Sequence, residues 1–303
     1  MFNYELRIEN AKKAIKEADY ILIGAGAGLS TAAGLEYCGD KFKNNFGDFI
    51  DKYHFTDLYT ATFYDFESQK EKWAFWARLI NLNRYNKEPL KLYSELLDLV
   101  KNKEYFVLTT NVDGQFEIAG FNKEKIFATQ GDYGMLQCSK ACHNKLYSNK
   151  KLVEKWLKDT KDCRVPSEEV MYCPVCNEEM DVNLRKDSYF VEDDYWYRQS
   201  NKYSEFLDKI KGNKVTLIEI GVGFNTPGII RFPFEQLVKE NVKYILIRIN
   251  KEHPESWNNL GNNLIAFSED TNKIIEDLNW NNNNSRSTKE QNDKNARKNR
   301  FMV

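Results

Sequence analysis

Four cysteines stand in two short pairs: Cys138 and Cys142, spaced C-x3-C, and, after 30 residues, Cys173 and Cys176 in C-P-V-C. Pairs of thiolates converging on one ion are the usual construction of a structural zinc site. Four sulfurs close its tetrahedral shell and leave no open position for catalysis. The surrounding segment is polar and has little core of its own, so it should depend on the metal to fold. His143 is a substitute ligand, although four cysteines suffice. Buried or redox thiols are the competing reading, which the zinc-ribbon spacing of both pairs disfavours. Cys38 and Cys163 fall outside the pattern and read as ordinary thiols.

A second constellation is "YILIGAGAGLSTAAG", an apolar run, glycines at 24, 26 and 28, and an expected helix start at Ser30. Glycines let a backbone turn tightly against a pyrophosphate, and a helix N-terminus offers free amides and a favourable dipole. Gly26, Ala27 and Gly28 would approach the phosphates. A tight strand-to-helix turn without a ligand is the alternative. The full G-x-G-x-x-G spacing is absent, and no acidic residue ends a second strand about 20 residues on.

The elements that must position these groups are written in apolar periodicity. Nearly continuous β-branched and aromatic runs recur at 20–24, 105–110, 125–129, 215–221, 244–250 and 264–267, the mark of strands buried on both faces of a parallel sheet. Helical patterns lie between them at 4–18, across 41–85 in several pieces, at 89–102 and at 229–240, with a closing helix at 269–279. This alternation predicts an α/β, doubly wound, mostly parallel Rossmann-like sheet. Residues 131–200 break the rhythm and read as a small zinc-ribbon insert with one helix near 147–159. The NAD-binding domain would then comprise 1–130 and 201–280. "EDDYWYRQ" (192–199) reads as a solvated loop, with an acidic docking strip for a basic substrate as the competing reading. Residues 281–303, nearly all Asn and charge, should form a disordered tail.

Composition narrows the functional classes. The 303 residues include 19 Phe, 17 Tyr and 6 Trp, enough for a sizeable core, and 44 basic side chains balance 45 acidic ones. Nothing marks the chain as a nucleic-acid or membrane-surface binder. No apolar run approaches the ~18 residues of a membrane span, and the charged N-terminus does not read as a signal peptide. The expectation is a cytoplasmic protein whose cysteines are metal ligands rather than a disulfide framework.

Three segments together resemble the sirtuin family of NAD-dependent enzymes: "GAGLSTAAGL" (26–35), "TTNVDGQFEIAG" (109–120) and the cysteine module in the expected order. Taken alone, Asn111 and Asp113 would read as caps for a helix beginning at Gly114. Weaker echoes are "NLRKDSYFVE" (183–192), a substrate-pairing strand, "IGVGFN" (220–225) and "IRIN" (247–250). The resemblance implies NAD lying across strand ends at Gly24, Thr110 and Gly221, with Gly223 and Asn225 beside it. Asn250 would meet the adenosine ribose. Asp113 would accept from the nicotinamide carboxamide, and Asn111 would order a water or a ribose hydroxyl.

Two departures shape the function. After Gly34 the family has Ile-Pro-Asp-Phe-Arg, whereas this chain reads "LEYCGDKF", and "FATQGDYG" puts Gln130 where deacylating sirtuins carry a catalytic histidine. Deacylation needs a base to deprotonate a ribose hydroxyl, and an amide cannot take that proton; losing a general base costs roughly 10²–10⁴-fold. Transfer of ADP-ribose to a carboxylate or other ready nucleophile escapes most of that loss. Both departures resemble the macrodomain-linked microbial sirtuins. These act as protein ADP-ribosyltransferases on a lipoylated carrier related to the glycine-cleavage H protein, and a macrodomain protein reverses the modification. A slow deacylase, an NAD sensor without turnover and an NAD hydrolase are the alternatives.

Overall fold

The apolar runs assemble into one six-stranded parallel sheet: β1 (Tyr20–Ala25), β2 (Glu104–Thr109), β3 (Ile126–Ala128), β7 (Val215–Ile220), β8 (Tyr244–Ile249) and β9 (Leu264–Phe267), in the order β3-β2-β1-β7-β8-β9. The strands follow the sequence reading to within one or two residues. This computed structural model describes residues 3–35, 39–85 and 88–279, so the 281–303 tail and Cys38 lie outside it. β1 sits centrally, with Ile23 opposite Val107 of β2 and Ile218 of β7.

Side chains of successive strand residues point to opposite faces, so the sheet feeds two cores. Ile21, Ile23, Ile218, Ile220, Ile247 and Ile249 face α1 (Tyr4–Glu17) and α6 (Lys91–Val100), together with a helix over residues 271–279. Leu22, Leu108, Leu217 and Leu246 face α9 (Asp194–Lys209) and α10 (Arg231–Glu240). This is the doubly wound arrangement. α1 is capped by Asn3, whose side chain accepts from the Glu5 N–H.

A second, antiparallel sheet is built from β4 (Gly131–Cys138), β5 (Tyr147–Ser148) and β6 (Met180–Leu184), in the order β5-β4-β6. The helix expected near 147–159 is α8 (Lys150–Asp159). The helices between the first two strands of the large sheet are α2 (Ala27–Ala32), α3 (Gly39–Tyr53), α4 (Leu58–Ala61) and α5 (Gln69–Arg84), followed by α6. Phe42, Phe46, Phe49, Phe75 and Trp76 from this stretch share a core with Leu136, Val182 and Trp156 of the second sheet and α8, although the chain order places them beside β1. Trp73 of α5 stacks on Trp156 of α8 at 4.9 Å between ring centroids.

Two local readings are corrected. The stretch 192–199 is not a loop: α9 begins at Asp194, capped by Asp193 accepting from the Trp196 N–H, and it packs on β2 and β3. The segment 183–192 is not one strand either. β6 stops at Leu184, and buried Gln137 and Asn183 strap the chain beyond it, binding the Tyr189 carbonyl, the Val191 N–H and the Val191 carbonyl. Among the described residues no helix is long and apolar enough to cross a membrane.

Candidate active site

The carboxyl ends of β1, β2 and β7 meet the glycine turn, where backbone runs directly against backbone. Gly26 N–H donates to the Ile220 carbonyl and Gly28 N–H to the Gly221 carbonyl, both at 3.0 Å. A Cβ on Gly26 would lie 2.6 Å from the Gly221 oxygen, and one on Gly221, at φ +61°, would lie 2.3 Å from the Leu29 nitrogen. The turn is therefore tighter than expected. α2 starts at Ala27 rather than Ser30, with Gly26 as its N-cap. Of the three residues assigned to the phosphates, Gly26 and Gly28 have their amides engaged, while the exposed Ala27 amide has no acceptor among the described residues.

Gly24 lies within β1, its α-carbon against Ile230 and Phe234, so its size is set by packing on α10. A Cβ added at Gly223 would have nothing within 4 Å, and Asn225 is exposed. Thr110 N–H ties the end of β2 to the Ala25 carbonyl at 3.1 Å. Asn250 donates from Nδ2 to the Val222 carbonyl at 2.8 Å and accepts from the Glu252 and His253 amides, joining the loops after β7 and β8.

With Ser30 inside α2, its hydroxyl points inward and becomes the centre of a buried polar network. Ser30 Oγ donates to Asp113 Oδ2 at 2.5 Å and lies 2.8 Å from the Tyr93 hydroxyl. Asn111 Nδ2 donates to the Gly26 carbonyl and to Ser30 Oγ, each at 3.0 Å. A carbonyl can only accept, so this contact fixes the amide orientation and leaves Asn111 Oδ1 without a partner among the described residues. Asp113 Oδ1 accepts from the Gln115 N–H at 3.0 Å, so Asp113 ties down the start of α7 (Gln115–Ile118), whose N-cap is Gly114. Burial pushes the Asp113 carboxyl above its usual range, opposed by the hydrogen bonds from Ser30 and Gln115.

Gln130 follows β3 and opens onto a cleft of about 370 Å³ walled by Phe63, Trp76, Val112, Tyr133, Val182 and Leu184, with Asp181, Arg185 and Lys186 also lining it. Among the described residues its side chain reaches only Thr129 Oγ1, at 3.5 Å, while its carbonyl accepts from the Arg185 N–H. Asp181 is paired with Lys72 at 3.3 Å and with Lys186. Burial pushes its carboxyl up, but the two lysines outweigh this and hold it below the usual range.

Cys138, Cys142, Cys173 and Cys176 bring their sulfurs within 4.8 Å of one another. Cys138 and Cys176 are 3.5 Å apart and Cys142 and Cys173 3.6 Å. A tetrahedron with Zn–S bonds of ~2.3 Å has edges of about 3.8 Å. The four thiols thus fit one structural zinc ion. Cys163 is a buried free thiol, its pKa pushed up to about 11 by burial and Asp48.

Sequence reasoning misses three supporting residues. Ser30 reads only as a helix start, and Tyr93 belongs to no motif in the sequence. Arg84, at the end of α5, holds Asp132 through two hydrogen bonds of 2.8 and 3.2 Å and packs so closely under Gly114, at φ +66°, that a Cβ there would meet its Cζ at 2.4 Å. None of these has a sequence-local signature, because each partner comes from a distant element.

No protein-family model matches the chain. It is 37% identical over 268 residues to a protein ADP-ribosyltransferase of Staphylococcus aureus (strain Mu50 / ATCC 700699), covering 88% of this chain and 85% of that protein. It is 32% identical over 261 residues to a probable bifunctional ADP-ribose hydrolase/ADP-ribosyltransferase of Fusarium oxysporum f. sp. cubense, covering 82% of this chain but only 43% of that longer protein. Among solved structures, a Sir2 protein bound to a propionylated peptide superposes with a TM-score of 0.55 at 15% identity, covering 91% of this chain and 98% of that one. A Sir2 protein with a p53 peptide and NAD+ gives 0.55 at 14% identity with the same coverage. These structural likenesses establish the fold.

Proposed function

The chain belongs to the sirtuin-type protein ADP-ribosyltransferases, NAD-dependent enzymes, and from that premise we propose how its own residues carry the transfer to a protein acceptor. Breaking the nicotinamide–ribose bond of NAD develops positive charge on the ribose carbon, so the site must hold the leaving group, exclude water and admit one nucleophile. Asp113, both oxygens already oriented by Ser30 and Gln115, keeps lone pairs for the nicotinamide carboxamide. Asn111 offers Oδ1 to a ribose hydroxyl or an ordered water. Ala27, Gly26 and Gly28 line the phosphates; Thr110, Gly221, Gly223 and Asn225 flank them; Asn250 faces the adenosine ribose. Gln130 positions the ribose by hydrogen bonding.

The observation that carries the choice of transfer over deacylation is the lining of the Gln130 cleft. It offers an amide, and its carboxylate, Asp181, is committed to Lys72 and Lys186 and is a weak base. Transfer to an acceptor that needs no deprotonation suits such a cleft. As acceptor we propose a lipoylated carrier of the glycine-cleavage-H type, and as partner a macrodomain protein that removes the modification. The Fusarium relative, whose name couples an ADP-ribose hydrolase with a transferase, supports the latter. We place the protein in the cytoplasm, where a reducing pool keeps the ligand thiols free for metal.

The test incubates the protein with labelled NAD beside a lipoylated carrier, its unlipoylated form and an acetyl-lysine peptide. Label on the lipoylated carrier is expected. Deacetylation at about 1 s⁻¹ or faster with no labelled carrier would overturn the reading. Free ADP-ribose alone would indicate hydrolysis, and no turnover a sensor.

A further inference from the structure

Tyr93 lies on α6, which among the described residues contributes no other side chain to the polar network, and its fully buried hydroxyl ends within 2.8 Å of Ser30 Oγ and 3.4 Å of Asn111 Nδ2. Its ring meets Phe116 edge-on at 4.9 Å. The direction of the hydrogen bonds follows by elimination. Ser30 has one proton, and with Asp113 ionised, as the nicotinamide-accepting role requires, that proton is committed to Oδ2 at 2.5 Å. Ser30 must therefore accept from Tyr93. The donors run one way, from Tyr93 to Ser30 to Asp113, and such chains strengthen each link by polarisation. Asn111 Nδ2 has two protons: one goes to the Gly26 carbonyl, and the other, aimed at Ser30 Oγ at 3.0 Å, is shared with the Tyr93 oxygen at 3.4 Å.

We infer that Tyr93 is a positioning residue for the transfer reaction: acting through Ser30, its hydroxyl holds the Asp113 carboxylate and the Asn111 amide in the orientation that receives nicotinamide and ribose. The inference rests on the reading of Asn111 and Asp113 as the nicotinamide- and ribose-handling pair. Ser30 alone lacks that authority, since a hydroxyl rotates freely; the buried tyrosine, locked by its ring, supplies a fixed reference.

Tyr93→Phe removes one oxygen and keeps the ring against Phe116. Expected is a fall in kcat for nicotinamide release of about tenfold, which is ~1.4 kcal/mol, with KM for NAD within about twofold and zinc content unchanged. In a Ser30→Ala background the same substitution should change kcat by less than about twofold, because the link it acts through is gone. A kcat within twofold of wild type in the single variant would overturn the inference. So would an equal loss in both backgrounds, or a fall in activity accompanied by a lowered Tm and a raised KM, which assigns Tyr93 to the core alone. Asn111→Ala and Asp113→Ala run beside these variants. If both retain turnover, the reading beneath the inference fails; if both lose it while Tyr93→Phe does not, the inference alone fails.

Discussion

Replacing Gly26 with alanine adds one carbon at a place where two loops of the site already touch. That carbon would lie 2.6 Å from the Gly221 carbonyl oxygen and 2.9 Å from Val222 Cα, and both are backbone atoms that cannot rotate away. Ordinary contact begins near 3.4 Å, so the loop after β1 must retreat by about 3.4 − 2.6 = 0.8 Å from the loop after β7. Overpacking of this kind costs roughly 1–3 kcal/mol, and each kcal/mol lowers Tm by about 2–4 °C in a protein of this size class. The same displacement separates Ala27 from Gly221 and Gly223 across the proposed phosphate site, where a misplacement of ~1 Å costs up to about 10²-fold. Calorimetry and initial rates over a range of NAD concentrations measure both effects: Tm should fall, and kcat/KM for NAD should fall by roughly 10- to 10²-fold. Gly223→Ala is the matched control, since nothing stands within 4 Å of its added carbon, and its Tm should equal wild type. A Gly26→Ala protein with wild-type Tm and wild-type kcat/KM would refute this reasoning. Lost NAD affinity at an unchanged Tm would place the clash with the ligand rather than with Gly221.

Cys173→Ser should abolish binding of one zinc per chain and lower the Tm of the second sheet; protein purified without chelator that contains no zinc by elemental analysis would remove the site. Asp113→Ala should cut nicotinamide release by about 10²-fold or more, and Asn111→Ala nearly as much, in an assay that needs no acceptor. Gln130→Ala should impair transfer, and Gln130→His should gain only weak deacetylation, because "LEYCGDKF" departs from the deacylase pattern as well. Buried Glu71 joins Lys52 of α3 to Arg164 beyond α8; burial pushes its carboxyl up, but hydrogen bonds from Lys52 and Arg164 hold it at about 2. The stability it gives is present above pH ~4.5 and lost as pH falls toward 2, so Glu71→Gln should flatten that part of the acid-unfolding curve.

The large sheet was legible because parallel strands buried on both faces are written as continuous apolar runs, as in "YILIG" and "VTLIEIG". The second sheet was not, because β4, "GDYGMLQC", mixes glycine and polar residues and is bent by a register shift between Asp132 and Leu136. α9 was obscured by "DYWYRQSNKYSEFLDK", where only Gln199 and Phe206 are buried and charge dilutes the apolar stripe. The four cysteines could be found because each pair has a local spacing, whereas Asn111 and Asp113 were singled out only by the resemblance of the segment 109–120. Ser30, Tyr93 and Arg84 could not, because their meaning arises only when α2, α5 and α6 converge on one loop.

The sharing of the second core between α3–α5 and the zinc-bearing sheet has a mechanical consequence. Among the described residues the polypeptide crosses between the two bodies at 129–131 and again between β6 and α9. A single linker would leave the bodies free to swing, whereas two covalent crossings restrain each other. The first crossing is also braced by a side chain, since Arg84 at the end of α5 grips Asp132 just beyond it. Gln130 stands on that crossing. The residue proposed above to favour transfer over deacylation is thereby braced by the same ion pair that fixes the crossing.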